Sequence, residues 1–418
     1  MITRRHLLYG TGLAGLALAL GACSGSAEEL RGTTAVLTLP LEGTPHVADA
    51  ATASARIAWQ LMVADPQVTA TNRAIAPGSL AVTLAMLAEG AAGTSLQSLD
   101  EVFGLTGDER SAAVGALRQA LADYEDLPKS VDADDPPETP VVHQANRAVI
   151  IDDAKVNQDF LDRLASYYDT AAARLPLDGA QADLDAWARK NTAGLVKKSA
   201  IVVTPELRLI TQDALLFAAA WRQRFTNANA PLSFTTGDGT SGDIDALADT
   251  FMVAHAEGDG WEAVRLPYDD NLAMDVVLPA AGTHPADLDF DTLDASVTAL
   301  NEAAARPVDL VMPPSDIMAK WDLLPPLGDL GVDLSDLGGI FPGAYVGVVA
   351  QQVRLTVTAR GTVGAALTET GVPTGAQPPP EEPVELIVDR PFVMRVLDTR
   401  TGWPLFLAIV NDPAVRSD

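Results

Sequence analysis

The 418-residue chain contains one cysteine, Cys23. A single thiol cannot close an intrachain disulfide, so packing alone must hold the fold. Histidines are few as well. The four beyond the N-terminal leader, His46, His143, His255 and His284, show no helical metal-ligand spacing, and with no thiol to join them the expectation is no metal and no cofactor. Basic residues are outnumbered, 28 Lys and Arg against 56 Asp and Glu, for a formal net charge of −28. Such a field repels phosphate backbones and anionic headgroups, which excludes nucleic acid as a partner. The acidity is spread along the chain and reads as solvated surface. There is no Gly-x-Ser-x-Gly elbow, no Ser-x-x-Lys and no P-loop, and acid pairs are common only because acids are. This lack of catalytic chemistry argues for a binding or inhibitory role over an enzyme.

Apolar residues make up 48% of the chain, ample for a large core. The N-terminus pairs Arg4 and Arg5 with an apolar run from Leu7 to Leu20, short of the ~20 residues that span a bilayer. It reads as an export signal, residues 1–22, and Thr3 to Leu8 resembles the twin-arginine type. Leu20-Gly21-Ala22-Cys23 is similar to a bacterial lipobox, which implies lipid attachment at Cys23 and a location on the outer face of the cytoplasmic membrane, with release outside the cell as a further possibility. Residues 23–47 are expected to be a tether and 48–418 a single domain.

Helices are expected over 48–63, after Pro77 (Leu80, Leu84 and Leu87 at i, i+4, i+7) and after Thr94, which forms a capping-box pattern with Gln97. Strand 145–151 leads to a helix started by Asn157, and a further capped helix is expected in the stretch after Leu175. Leu207 to Trp221 is an apolar run that periodicity leaves open between a buried strand and a core helix. EAVRLPYDDNLAMDVVLP and the C-terminal FVMRVLDTRTGWPLFLAIV read as hairpins, and VDLVMPPSDIMAKWDLLPPLGDLGV as strand, loop and short helix. Helices early and hairpins late indicate α+β with large, mostly antiparallel sheets.

The stretch from Ala359 to Phe392 sets Gly361, Gly364, Ala365 and Ala366 in a small-residue run, then a Pro-rich loop, then a strand from Leu386. In isolation it is a flexible connector. Several other segments, in order, resemble the serpin family: Asn72 to Gly104, with its Pro-x-Ser and Ala-x-Gly helix starts; Asn146 to Tyr168; Asp213 to Trp221 followed by Phe225; Leu266-Pro267-Tyr268 with Asn271, Leu272 and Met274; and Arg390-Pro391-Phe392 with Pro404-Leu405-Phe406 and Asn411-Asp412-Pro413.

The resemblance implies a serpin fold of three β-sheets and eight or nine helices, a monomer, with a reactive-centre loop over about 361–385. It also implies a serine protease inhibitor acting as a suicide substrate: the loop is cleaved, an acyl-enzyme forms, and the loop inserts as a strand into the main sheet. The loop hinge would be Gly361, Thr362, Gly364, Ala365, Ala366 and Thr368. Ala359 and Val363 stand where acids are usual, and Leu367 is bulky where a small residue is usual. Family spacing places the scissile bond among Thr374, Gly375 and Ala376, suited to an elastase-like or subtilisin-like extracellular protease. Ala76, Pro77 and Ser79 correspond to the shutter, with Ala76 in place of a serine and Gln351 in place of a buried histidine; Trp221 matches the breach. The alternative is a non-inhibitory member serving as a surface binding or structural protein; a lipoprotein hydrolase has only the export signal in its favour.

Overall fold

The computed structural model describes residues 27–127, 129–132, 134–362 and 382–415. In chain order, β1 (Glu28–Leu30) precedes α1 (Val47–Val63), β2 (Arg73–Ile75), α2 (Pro77–Ala88), α3 (Gly93–Phe103) and α4 (Gly107–Gln119). Every residue of α2 is buried. Its first position is Pro77, where a missing N–H costs nothing and the fixed φ already suits the helix. Next come β3 (Val141–Ile151), α5 (Gln158–Tyr168), β4 (Ala172–Leu175), α6 (Ala180–Asn191) and β5 (Leu209–Ala220). The ambiguous apolar run is therefore a strand. It pairs antiparallel with β3 over ten residues, from Leu209↔Ile150 to Ala218↔Val141, and both its faces are covered, which is why its sequence carries no alternation.

The rest is mostly hairpins: β6 (Asn227–Thr235) with β7 (Ser241–Gly258), β8 (Trp261–Pro267) with β9 (Leu272–Pro279), then α7 (Phe290–Glu302), β10 (Ala305–Met312), β11 (Ser315–Asp322), α8 (Leu324–Asp329) and β12 (Ala350–Val357). The two residues of β13 (Gly361–Thr362) follow, then β14 (Val384–Ile387), β15 (Phe392–Asp398) and β16 (Trp403–Val410). The main sheet has the order β1-β4-β3-β5-β13-β12-β11. The other strands run β14-β10-β7-β8-β9-β15-β16-β2, with β6 also on β7. The 18-residue β7 divides this array in two: it pairs with β6 and β10 up to Ala254, and with β8 from His255 onward. Three sheets and eight α-helices are thus present among the described residues, an α+β fold. Strands β9, β15 and β16 are buried at every position and, with α1 and α2, form the centre of the core. No helix among the described residues is long and apolar enough to cross a membrane.

Several local expectations differ from what is observed. The Thr94–Gln97 capping box does not form: α3 starts at Gly93, the Thr94 hydroxyl donates to Asp333 Oδ2 at 2.7 Å, and Gln97 donates to Glu101 at 2.9 Å. Asn157 precedes α5, but its amide donates to the Gly339 carbonyl at 2.9 Å instead of capping the helix. The helix after Leu175 likewise has Gly179 at its N-cap and no side-chain cap. The segment read as a loop after Val311 contains a full strand, β11. The tether is not free along its length: β1 pairs with β4, Thr33 donates its N–H to Asp162 Oδ1 at 2.6 Å, and the Leu37 N–H donates to the Ser166 carbonyl at 2.9 Å.

Candidate functional site

Among the described residues, the edges of β5 and β12 that face each other are joined only through β13. Gly361 is opposite Ala220, and Thr362 is opposite both Ala219 and Val357. Below that point, Thr211 to Leu216 of β5 and Ala350 to Arg354 of β12 line a cleft, with Ala76, Ser79 and Phe406 also on its walls. A strand edge without a partner is a template for an added strand.

The two seated residues are closely fitted. A Cβ on Gly361 would stand 2.2 Å from the Ala219 carbonyl oxygen and 2.7 Å from the Ala220 Cα, both backbone atoms, so only glycine fits there. Thr362 is buried, and its Oγ1 accepts a 2.6 Å hydrogen bond from the Tyr268 hydroxyl. Tyr268 stacks flat on Trp221, with ring centroids 4.7 Å apart and planes 10° from parallel. The Trp221 indole N–H donates to the Thr358 carbonyl at 2.9 Å, and its backbone N–H donates to the Arg360 carbonyl at 3.0 Å. The turn from Thr358 to Gly361 closes with a 2.9 Å backbone bond between those two residues. Trp221, Tyr268 and Thr362 therefore form one connected latch. Burial raises the Tyr268 pKa well above the usual phenol value, so the hydroxyl keeps its proton and acts as donor.

At the shutter, the Gln351 side chain clasps the peptide of Ala76: Oε1 accepts from the Ala76 N–H at 2.8 Å, and Nε2 donates to the Ala76 carbonyl at 3.1 Å. Ala76 needs no side chain for this contact. The resemblance left open whether replacing a serine and a histidine here breaks the local network; a backbone-directed amide pair stands in its place. Next to it, the Ser79 hydroxyl hydrogen-bonds Asp213 Oδ1. Asp213 lies directly across from Asn146 of β3. As a residue it is half-buried, but its Oδ2 is sealed from solvent and has no hydrogen-bond partner. Loss of hydration is the largest influence on this carboxyl; opposed by the Ser79 hydroxyl and the Arg118 charge, it still pushes the pKa up to about 8. Arg118 cannot neutralise it fully, since its Nε donates to Asn146 Oδ1 at 3.1 Å and Nη1 to the Tyr168 carbonyl.

Of the residues singled out from the sequence, the structure brings Gly361, Thr362 and Trp221 together at one end of the cleft, and Ala76, Ser79 and Gln351 together along it, with Pro77 opening α2. Cys23, Gly364, Ala365, Ala366, Thr368, Thr374, Gly375 and Ala376 lie outside the described residues. The sequence reading did not single out Tyr268 or Asp213 as site residues. A signal for the second was available, since Asp213 is the one ionisable side chain inside the apolar run LITQDALLFAAAW.

Residues 52–413 match the family model for serpin, serine protease inhibitor. The chain belongs to the serpin family. An uncharacterized serpin-like protein of Thermococcus kodakarensis is 24% identical over 361 residues, covering 82% of this chain and 81% of that one. Plasminogen activator inhibitor 1 of Neovison vison is 26% identical, covering 82% and 87%. Among solved structures, the native state of the thermophilic serpin tengpin superposes with a TM-score of 0.76 at 17% identity, over 93% of this chain and all of that one.

Two predictions come from these contacts. A carboxyl with a raised folded pKa holds its proton more tightly in the native state, so the stability it confers is full below the unfolded pKa of about 4 and is lost as pH rises toward about 8. Asp213→Asn should flatten that loss. In thermal unfolding from pH 4 to 9, wild type and variant diverge progressively above pH 4, with the variant ahead at pH 9 by on the order of a few kcal/mol; parallel pH profiles would refute this. For the latch, Tyr268→Phe and Thr362→Val should each cost about 1–2 kcal/mol in denaturant unfolding, and the double variant no more than the larger single one. Additive losses would mean that the hydroxyl pair is not coupled.

Proposed function

We propose that this serpin inhibits serine proteases as a suicide substrate. The observation that carries the reading is β13: the first two residues of the expected loop already lie as a strand between β5 and β12, above a cleft with two strand edges. Attack by the protease serine on the carbonyl carbon of the scissile bond expels the downstream amine and leaves the upstream part of the loop esterified to the enzyme. Growth of β13 down the cleft then draws the attached protease away before water completes hydrolysis.

Carrying the β13 register onward tests whether this loop is suited to insertion. Strand side chains alternate, so Gly364, Ala366 and Thr368 would share the inward face of Thr362, and Leu367 would fall on the opposite face. The bulky residue would thus avoid the core side, while the small ones enter it. The same register, extended, would set Thr368 opposite Asp213 on β5 and opposite Gln351 on β12, where its hydroxyl could meet the unpartnered carboxyl oxygen. Thr374, Gly375 and Ala376 remain the candidate scissile positions, and their small uncharged side chains favour an elastase-like or subtilisin-like partner. The non-inhibitory alternative has support in the absence of acids at Ala359 and Val363.

Incubating the wild type with elastase and with subtilisin should give a complex that survives denaturing gel electrophoresis. Ala366→Arg, which by the same register would bury an unpaired charge between Leu215 and Val353 on the inward face, should reduce the trapped fraction by at least about tenfold in favour of cleaved inhibitor. If a panel of serine proteases yields only cleaved protein, and loop cleavage leaves the melting temperature unchanged, the non-inhibitory reading holds.

Export and lipid attachment at Cys23, with the domain displayed outside the cytoplasmic membrane, are proposed from the leader sequence. Expressed in a lipoprotein-processing bacterium and labelled with radioactive palmitate, the wild type should carry label in the membrane fraction and Cys23→Ala should not. Equal labelling of both would remove the anchor.

A further inference from the structure

Beyond the inhibitory apparatus, the tip of the β7–β8 hairpin gathers His255, Glu257 and Glu262. His255 and Glu257 are two residues apart on β7, and Glu262 of β8 is directly opposite Glu257. One donor atom from each of the three lies within 4.8 Å of the others. His255 is buried, with only 3% of its side chain exposed, Glu262 is half-buried and Glu257 is exposed. The histidine thus supplies the inner side of the cluster, and the two carboxylates form its rim toward solvent.

Two features separate this cluster from ordinary surface acidity. Like charges directly opposed across an antiparallel pair repel, yet among the described residues no ion pair joins a lysine or arginine to Glu257 or Glu262; Glu262 is partnered there by His255, whose Nε2 is 2.8 Å from Oε1. The other two interior-facing histidines have both ring nitrogens engaged in ways that exclude a metal: His143 with Glu125 and Asn191, and His284 with the Ala286 N–H and Asn411. His255 engages a partner through Nε2 alone, and that partner is a carboxylate.

We propose that His255, Glu257 and Glu262 form a binding site for a single Zn²⁺ ion. One imidazole nitrogen and two carboxylate oxygens are a ligand set zinc accepts, with water completing the tetrahedron on the exposed side. Around a tetrahedral zinc, ligand atoms stand about 3.3 Å apart, so the 2.8 Å Nε2–Oε1 pair opens slightly and the wider separations, up to 4.8 Å, close, both within reach of glutamate rotamer changes. The ion takes the place of the hydrogen bond between Nε2 and Oε1, with the imidazole coordinating through Nε2. The expectation of no metal from the sequence rested on helical spacing, and these ligands are brought together by a cross-strand register instead. The backbone beneath is held in place: a Cβ on Gly258 would lie 2.2 Å from the Trp261 indole, so the ring packs on bare backbone at the hairpin end.

The test is competition for Zn²⁺ between the full chain and a chromophoric chelator, with Mg²⁺ in large excess, followed by metal content after gel filtration. Wild type should retain one zinc per chain. Glu257→Gln, at an exposed position that leaves the core untouched, and Glu262→Gln should each weaken binding by at least about tenfold. Zinc should raise the melting temperature of wild type by a few degrees and leave that of Glu257→Gln unchanged. The proposal is overturned if wild type retains no zinc, or if Glu257→Gln binds it as wild type does. Should Glu262→Gln fail to fold, Glu257→Gln alone decides.

Discussion

The carbonyl of Ala219 occupies the space that any side chain at position 361 would need. This contact lets the chain turn after Thr358 and enter the sheet between β5 and β12, and much of the site geometry follows from it. With Gly361 seated, Thr362 comes under the Tyr268 hydroxyl. With Tyr268 held there, Trp221 stacks on it and closes the turn through the Thr358 and Arg360 carbonyls. Seating costs backbone entropy for only two residues, and the buried hydrogen bond and ring contacts oppose that cost.

Further down the cleft the fit is polar. The two sides are linked to α2 by different chemistry: β12 through an uncharged amide pair from Gln351 to the Ala76 peptide, and β5 through a carboxyl on the Ser79 hydroxyl. Both contacts are with the first turn of α2, so that turn is the common anchor from which the two strands part. An amide clasp is insensitive to pH. A sealed carboxyl is not, and it makes the β5 side of the anchor the one whose strength varies with proton concentration.

Much of the architecture was legible in the sequence where local signals and burial agree. Pro77 marks the start of α2, and the Asp-Asp-Asn turn marks the β8–β9 hairpin. Local signals misled where a distant partner outbid the helix: Thr94 had the right spacing for a capping box, but its hydroxyl found Asp333, far along the chain. Leu207 to Trp221 was ambiguous because a strand covered on both faces loses its alternation. Tyr268 escaped notice as a site residue for a related reason: its role depends on Thr362, 94 positions away, and no spacing rule reaches that far. The family resemblance located the breach tryptophan and the shutter, while the contacts that give them physical meaning needed coordinates.

The acidity that first set this chain apart acquires structure once its buried members are traced. Asp275, Glu89 and Asp398 have almost no side-chain exposure, and each is paired with arginine: Asp275 with Arg265 and Arg395, Glu89 with Arg163, Asp398 with Arg400. Breaking such a pair strands a buried charge at a cost of several kcal/mol, so these arginines are committed to the core, and in a chain with half as many bases as acids they are a limited resource. The acids left without one are therefore informative. Asp213 relies on a hydroxyl and on an Arg118 already engaged elsewhere, and it answers by holding its proton. Glu257 and Glu262 face each other, and a single histidine, His255, hydrogen-bonds the second. One sits where the main sheet parts and the other pair where a hairpin ends, so the shortage of positive charge read from composition becomes, in three dimensions, a map of where a proton or a cation has most effect.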